Sequence, residues 1–300
     1  MNSQAISNLE YKLKNDEFVF TSELGPPKGV LIDGLKTKIA LLKESVTAAN
    51  VSDLQGSNLS LNPVSVSHIL YELGLESVMQ ITCRDRNRLA LQSDILSAYV
   101  LGIRNILCLT GDYITIGDHP QAKPVFDLDS VTLLYVIKKL EDGYDMVGNE
   151  LKGKPHFFKG AAVNPEADTK ASFELQLIKM KKKVECGAEF FQTMPVFNAD
   201  KFKVFIDRVK ALNINVPIIA GIQLIKSEKM ADYLNKYIPG ISVPQWITEK
   251  IVKASNKVDM SVNIAADIIN NIKPLCSGIH IGAQGWEEHI ATLIKKIDIN

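Results

Sequence analysis

Eight short apolar runs, each followed by a segment with helical spacing, constrain this 300-residue chain more than any other feature. The clearest is Ile103–Leu109, which ends in Thr110-Gly111-Asp112 before a long polar loop. A continuous apolar run of this kind is what a strand looks like when both faces of a parallel sheet are covered. The strand-like runs are Phe18–Leu24, Ala48–Asp53, Val78–Cys83, Ile106–Leu109, Phe157–Val163, Phe190–Val196, Val216–Ile222 and Ser277–Ile281. Between and after them, helical spacing covers Asp33–Glu44, Val64–Leu73, Leu89–Leu101, Asp129–Leu140, Lys170–Cys186, Lys201–Leu212, Ser227–Lys236, Trp246–Ala254, Met260–Ile272 and Trp286–Ile297. Ile6, Leu9 and Leu13 add a short lead-in helix within Ser3–Lys14. This alternation predicts an α/β fold, a (β/α)8 TIM barrel, as one domain over residues 1–300 with a short N-terminal helix. A doubly wound open sheet is the rival that alternation leaves standing. No Gly-x-Gly-x-x-Gly follows the first run, which removes the dinucleotide fingerprint.

Composition narrows the function classes. Lys plus Arg and Asp plus Glu balance at 34 each, so no global field recruits nucleic acid or an anionic membrane. Cys83, Cys108, Cys186 and Cys276 are far apart, with no Cys-x-x-Cys, which argues against a zinc or iron–sulfur site held by this chain alone. Cysteines inside apolar runs suit a reducing compartment. Met1–Asn15 is polar and no apolar run reaches spanning length, so the expectation is a cytoplasmic protein without a membrane segment.

In a barrel, chemistry sits at the carboxyl ends of the strands and in the loops after them. Those positions hold Glu23, Ser52, Asp53, Gln80, Thr82, Asp112, Asn164, Glu166, Gln192, Thr193 and Gln223, with no histidine among them. A hydrolytic triad or catalytic zinc is thereby disfavoured. Amides and hydroxyls in this proportion suit a flat heteroaromatic ligand such as a flavin or a pterin. Glu23 stands in an apolar strand before Gly25-Pro26-Pro27, a setting that raises a carboxyl's proton affinity toward that of a general acid. The plainer alternative is a strand-end glutamate paired with a basic side chain. Arg84, Arg86 and Arg88 open a helix, where backbone N–H groups already favour anions, so a phosphate anchor is one reading and a solvated charge run the other. Lys179, Lys181, Lys182 and Lys183 form a second basic cluster, by default a solvated helix face.

These residues resemble the methylenetetrahydrofolate reductases, in their short form that consists of the catalytic domain. The resemblance rests on Phe-Thr-Ser-Glu-Leu-Gly-Pro-Pro at 20–27, Gln-Ile-Thr-Cys-Arg-Asp-Arg-Asn-Arg at 80–88, Leu-Thr-Gly-Asp at 109–112, Phe-Asp-Leu-Asp-Ser-Val at 126–131, Asn-Pro-Glu-Ala at 164–167 and Thr-Met-Pro-Val-Phe-Asn at 193–198. Each motif is weak alone; six in the family's order are specific. The resemblance implies FAD at the strand carboxyl ends, its N5 passing a hydride to 5,10-methylenetetrahydrofolate to give 5-methyltetrahydrofolate, in one-carbon metabolism and methionine biosynthesis. Glu23 is implied as the acid that opens the five-membered ring to an iminium, and Asp112 as a folate contact that tunes the flavin. Ser52, Gln80, Phe126, Asp127, Asn164 and Lys183 match flavin-contacting positions, and the resemblance implies Thr110 and Asp112 as cofactor-binding residues as well.

The chain departs from the family pattern at three places. Met194 stands where many members carry a folate-binding Gln, and Gln192 lies two residues earlier on the same strand face. Gln80 replaces a frequent histidine, and Thr110 a frequent arginine. The lost phosphate contact is expected from Arg84, Arg86 or Arg88. Gln192, Met194 and Gln223 are the expected substrate positions. The implied electron donor is NADH, NADPH or an iron–sulfur electron-transfer subunit, and the chain is expected to form an oligomer. Two other readings remain at this point: an accessory flavin-binding subunit of a larger reductase, and a flavin-free pterin-binding enzyme on the same barrel.

Overall fold

A strand covered on both faces also needs a neighbour on each edge, and closure is how every strand here finds two. The computed structural model describes residues 5–167, 169–238 and 240–297. Its strands are β1 Val19–Leu24, β2 Ala48–Val51, β3 Ser77–Thr82, β4 Asn105–Leu109, β5 Phe158–Val163, β6 Phe190–Pro195, β7 Ile218–Gln223 and β8 Gly278–Gly282. They run parallel and close in chain order, and β1 pairs with β8 through Thr21 opposite His280. That pairing excludes the open sheet.

The helices are α1 Asn8–Lys14, α2 Asp33–Lys43, α3 Pro63–Glu72, α4 Arg88–Val100, α5 Ser130–Asp142, α6 Lys170–Glu185, α7 Ala199–Ala211, α8 Glu228–Tyr237, α9 Gln245–Lys253, α10 Lys257–Ile272 and α11 Ile290–Lys295. Side-chain caps start many of them, as Asn87 does for α4 and Asp129 for α5. The expected elements recur within a few residues of their predicted bounds. Three short turns of 3₁₀ helix, Gln55–Ser57, Ile114–Ile116 and Lys273–Leu275, were not anticipated. Of the predicted lead-in helix, Ser3 and Gln4 lie outside the described residues. No helix among the described residues is long and apolar enough to cross a membrane.

Alternation along each strand sorts side chains into two cores. Outward residues such as Val51, Met79, Ile81, Ile106 and Phe191 pack against the helices. Inward residues form a separate cluster of Val19, Ala48, Val78, Leu107, Phe158, Phe190 and Ile219 in the lower barrel. Phe158 and Phe190 stack there at 4.8 Å, and Gly160 leaves the room, since a Cβ on it would sit 2.2 Å from the Phe190 ring. Leu9 and Leu13 of α1 join that cluster and plug the amino-terminal end. Glu76, before β3, holds α1 in place by accepting from the Asn8 and Leu9 backbone N–H groups at 2.8 and 3.0 Å. The lower barrel is thus sealed with apolar groups, and polar chemistry is left to its carboxyl-terminal half.

Because Leu9 is fully buried in that plug, Leu9→Ala is expected to cost about 2–5 kcal/mol. A urea titration reads this as a lower midpoint with unchanged slope; an unchanged midpoint would show that α1 adds nothing to barrel stability.

Candidate active site

Staggered strands stack their inward side chains in layers drawn from alternate strands. The registers place Thr21, Val78, Gly160 and Ile219 in one layer, then Asn50, Leu107, Gln192 and His280, then Glu23, Gln80, Ala162 and Gly221. Above them come Ser52, Leu109 and Gly282, while a bulge in β6 between Gln192 and Pro195 breaks the alternation at Met194, so Gln192 and Met194 do not simply share one strand face. Glu23 therefore sits inside the lumen, its side chain only 11% exposed.

A buried carboxylate needs donors, and two are supplied. The Gln80 amide donates to both Glu23 oxygens at 3.2 and 3.0 Å, and His280 Nε2 lies 3.3 Å from Oε2. His280 Nδ1 meets the Thr21 hydroxyl at 3.0 Å. A neutral imidazole satisfies both contacts when Nε2 carries the proton and Nδ1 accepts from Thr21. The plainer sequence reading of Glu23, a strand-end glutamate paired with a basic side chain, is what these contacts show. Across the lumen from Glu23 and Gln80, the same layer is completed by the small residues Ala162 and Gly221.

His280 was missed in the sequence because the reading stopped at strand ends. It lies inside β8, and its signal was the alternation Gly278-Ile279-His280-Ile281-Gly282, with both isoleucines fully buried on the outer face. Asn50 was missed likewise. Fully buried, it donates across the lumen to Gln192 Oε1 at 2.8 Å.

Two of the three arginines are tied to protein partners, which narrows the expected phosphate contact to Arg88. Arg84, 1% exposed, binds Asp85, the Ser57 hydroxyl and the Leu54 carbonyl. Arg86 is held by Asp53 and by Asp94 at 2.8 Å; burial opposes its charge, but the two carboxylates outweigh that and raise its pKa. Asp53 in turn accepts from the backbone and hydroxyl of Thr82, so it braces β3 and does not face the lumen chemistry. Arg88 pairs with Asp127 at 2.8 Å on the open rim, and that hydrogen bond holds Asp127 down to about 2. Asp127 was an expected flavin contact; its carboxylate is spent on Arg88, whose guanidinium stays half exposed.

The remaining expected residues ring the mouth. Asp112 is exposed after β4 and has no hydrogen-bond or ion-pair partner among the described residues. The turn before it needs Gly111, which takes φ 99 and where a Cβ would meet that of Arg84 at 2.9 Å. Thr110 pins Ser130 at the start of α5 through a 3.3 Å contact to its backbone N–H. Phe126 adopts φ 43, unusual for an aromatic residue, and its neighbour Val125 donates to the Arg84 carbonyl. Asn164 donates to the Gly240 carbonyl, while Glu166 accepts from the Phe197 and Asn198 backbone and so ties the β5 loop to the start of α7. Thr193 serves the sheet, accepting from Gly221 N at 2.9 Å. Gln223 donates to the Gly282 carbonyl at 2.7 Å and borders a small cavity of about 10 Å³ against Ile264 and Ile268 of α10. Lys183 is buried and donates to the Ala162 carbonyl at 2.7 Å. Burial, with Lys179 nearby, pushes it down to about 8.

The donor set fits a planar cofactor. Gln80 and Ser52 offer polar groups in the upper lumen, Asn50 Oδ1 is a buried acceptor with no partner among the described residues, and Arg88 stands half exposed at the rim, while Lys183 lies buried against the Ala162 carbonyl.

A family model described as methylenetetrahydrofolate reductase matches residues 8–298. A relative named methylenetetrahydrofolate reductase 1, from Schizosaccharomyces pombe, is 24% identical over 249 residues, covering 81% of this chain and 39% of its own length. The 5,10-methylenetetrahydrofolate reductase of Buchnera aphidicola subsp. Baizongia pistaciae is 25% identical, with 79% of each chain covered. The chain thus spans about two fifths of the yeast relatives it matches and most of the bacterial one. Among solved structures, an uncharacterized protein from Clostridium thermocellum that binds two copies of 5-methyl-5,6,7,8-tetrahydrofolic acid superposes with a TM-score of 0.66 at 18% identity, over 98% of this chain and 99% of that one. At that identity it supports the fold.

Lys183 yields a pH prediction. Its folded pKa lies below the unfolded value of 10.5, so the unfolded chain binds more protons between about 8 and 10.5 and folding stability rises with pH across that window. Lys183→Met is expected to stabilise the protein at pH 7 by roughly 2–3 kcal/mol, a gain that fades as pH approaches 10.5. Denaturation midpoints at pH 7 and pH 10 check it; a constant difference would place the lysine's charge in solvent.

Proposed function

This chain belongs to the methylenetetrahydrofolate reductase family, and from that membership we propose that it reduces 5,10-methylenetetrahydrofolate to 5-methyltetrahydrofolate with FAD as hydride carrier. The observation that carries the reading is Glu23, enclosed in the lumen between Gln80 and His280. FAD, when bound, supplies a hydride from N5. Ser52, Gln80, Asn164 and Lys183 are the residues that would hold it, with Phe126 and the Arg88–Asp127 pair at the rim. NADH, NADPH or an iron–sulfur subunit would provide the electrons.

The substrate's five-membered ring opens when the nitrogen leaving the methylene carbon takes a proton, and Glu23 is the group placed to give it. After transfer, the carboxylate is met at once by the Gln80 amide at 3.0 Å and by His280 Nε2 at 3.3 Å. The amide serves both states, because its N–H faces a carboxylate and, turned over, its C=O faces a carboxylic acid. Its seclusion from bulk water keeps the proton on the reacting path. Asp112, exposed after β4 and without a partner among the described residues, would accept from the pterin's amino group.

Glu23→Gln is expected to retain FAD and its reduction but to lose folate reduction by roughly 10²–10⁴-fold. Anaerobic rapid mixing with NADH or NADPH, followed by methylenetetrahydrofolate, separates the two half-reactions; near-normal turnover would remove Glu23 from this role. For Met194→Gln, equal or tighter 5-methyltetrahydrofolate binding is expected by titration. A large loss would show that β6 has been rebuilt around the thioether.

A further inference from the structure

Thr21 is fully buried on the inward face of β1, two residues before Glu23. Its layer offers no other polar side chain, since Val78, Gly160 and Ile219 complete it. Among the described residues its hydroxyl has one partner, His280 Nδ1 at 3.0 Å. A hydroxyl enclosed in this way puts its hydrogen on that nitrogen or leaves a buried donor unmet, which folded proteins rarely tolerate. Nδ1 is therefore the acceptor, and the hydrogen-bond pattern assigns the proton of the neutral imidazole to Nε2. Nε2 in turn lies 3.3 Å from Glu23 Oε2. The opposite tautomer would strand the Thr21 hydrogen and turn a bare Nε2 toward the carboxyl. Two side chains of one strand thus grip a single ring on β8, brought there by the register that sets Thr21 opposite His280.

We propose that Thr21 is a positioning residue for the proton transfer: its hydroxyl holds His280 as a donor toward Glu23 and so denies the imidazole the acid's proton. This rests on the reading of Glu23 as the proton donor and deepens it. A bare Nε2 would accept the carboxyl O–H and tie the proton into a Glu23–His280 bond, away from the substrate. With Nε2 already protonated, that bond is closed to it. The imidazole and the Gln80 amide both donate to Oε2, the amide at 3.0 Å, whereas Oε1 receives the amide alone at 3.2 Å. Oε1 is thus the oxygen left to carry the proton, and the leaving nitrogen takes it from there. Oε2 keeps its donors before and after the transfer. No hydrogen of Thr21 or His280 moves in the step; both act by orientation.

Two arms test this on the full chain. Thr21→Val keeps the shape and removes the hydroxyl, whereas Thr21→Ser keeps the hydroxyl and removes the methyl. FAD-loaded enzyme is photoreduced and mixed anaerobically with methylenetetrahydrofolate, and flavin reoxidation gives the rate. In Thr21→Val the maximal rate is expected to fall roughly 10–10²-fold, a part of what a general acid contributes. The substrate concentration at half-maximal rate is expected to change little, and Thr21→Ser to recover most of the loss. A native rate in Thr21→Val overturns the proposal. So does an equally low rate in Thr21→Ser, since packing of the methyl would then be what matters. The second arm reads 15N-labelled histidine in the native protein by NMR, at a pH above the ordinary imidazole range, with His280→Gln identifying the His280 signals among the five histidines. Nε2 is expected protonated and Nδ1 bare. A proton on Nδ1 overturns the proposal whatever the variants do, and this arm decides it if Thr21→Val does not fold. If the native enzyme leaves methylenetetrahydrofolate unreduced, the reading of Glu23 falls and the role of Thr21 with it. The wrong tautomer beside intact folate reduction removes Thr21 alone.

Discussion

A carboxylate can be kept inside a barrel only where donors are brought to it. For Glu23 those donors come from opposite ends of the strand order: Gln80 from β3 and His280 from β8. His280 reaches β1 only because the sheet closes, since the β1–β8 ladder sets Thr21 opposite it. The candidate site and barrel closure are therefore one structural event. The cost of burying the charge restricts where it is tolerated, and the layering answers that restriction. Apolar side chains and α1 seal the lower lumen, and polar groups begin at Thr21 and rise through Asn50, Gln192 and His280 to Glu23.

Much of this was legible in the residues. The apolar runs gave the strands, and helical spacing gave the helices, because both faces of a parallel strand must be covered. Closure itself was not legible: alternating elements fit an open sheet equally well until β1 and β8 are seen to pair. Strand-end reading found Glu23 and Gln80 because loops announce strand ends. It passed over Asn50 and His280 because each sits inside a strand, where a polar residue shows only as a break in the inward register. Ala48-Ala49-Asn50-Val51 reads as a strand, and only the barrel tells which of its faces looks inward.

The arginine cluster shows the opposite failure, where a strong local signal was read too far. Three arginines near a helix start do favour anions. But Asp53, Asp94 and Asp127 lie up to tens of residues away, and the fold brings each of them to one of these side chains or its neighbour. Cation count is a sequence property, whereas cation availability belongs to the folded chain. Arg84 and Arg86 stitch the loops after β2 and β3 together, and Arg88 alone keeps an open face.

Met194 stands where that layering breaks. Gln192 lies opposite Ile219 of β7, but the next partners are Pro195 and Gly221, so β6 takes up one extra residue between them. A bulge of this kind re-aims the side chains around it, and Thr193 pins it by accepting from Gly221 N at 2.9 Å. Alternation therefore assigns Gln192, tied to Asn50 beneath Glu23, to the lumen and stops short of Met194. A glutamine two residues before the expected place is separated from that place by a kink in the strand, so the two positions are not equivalent points on one face.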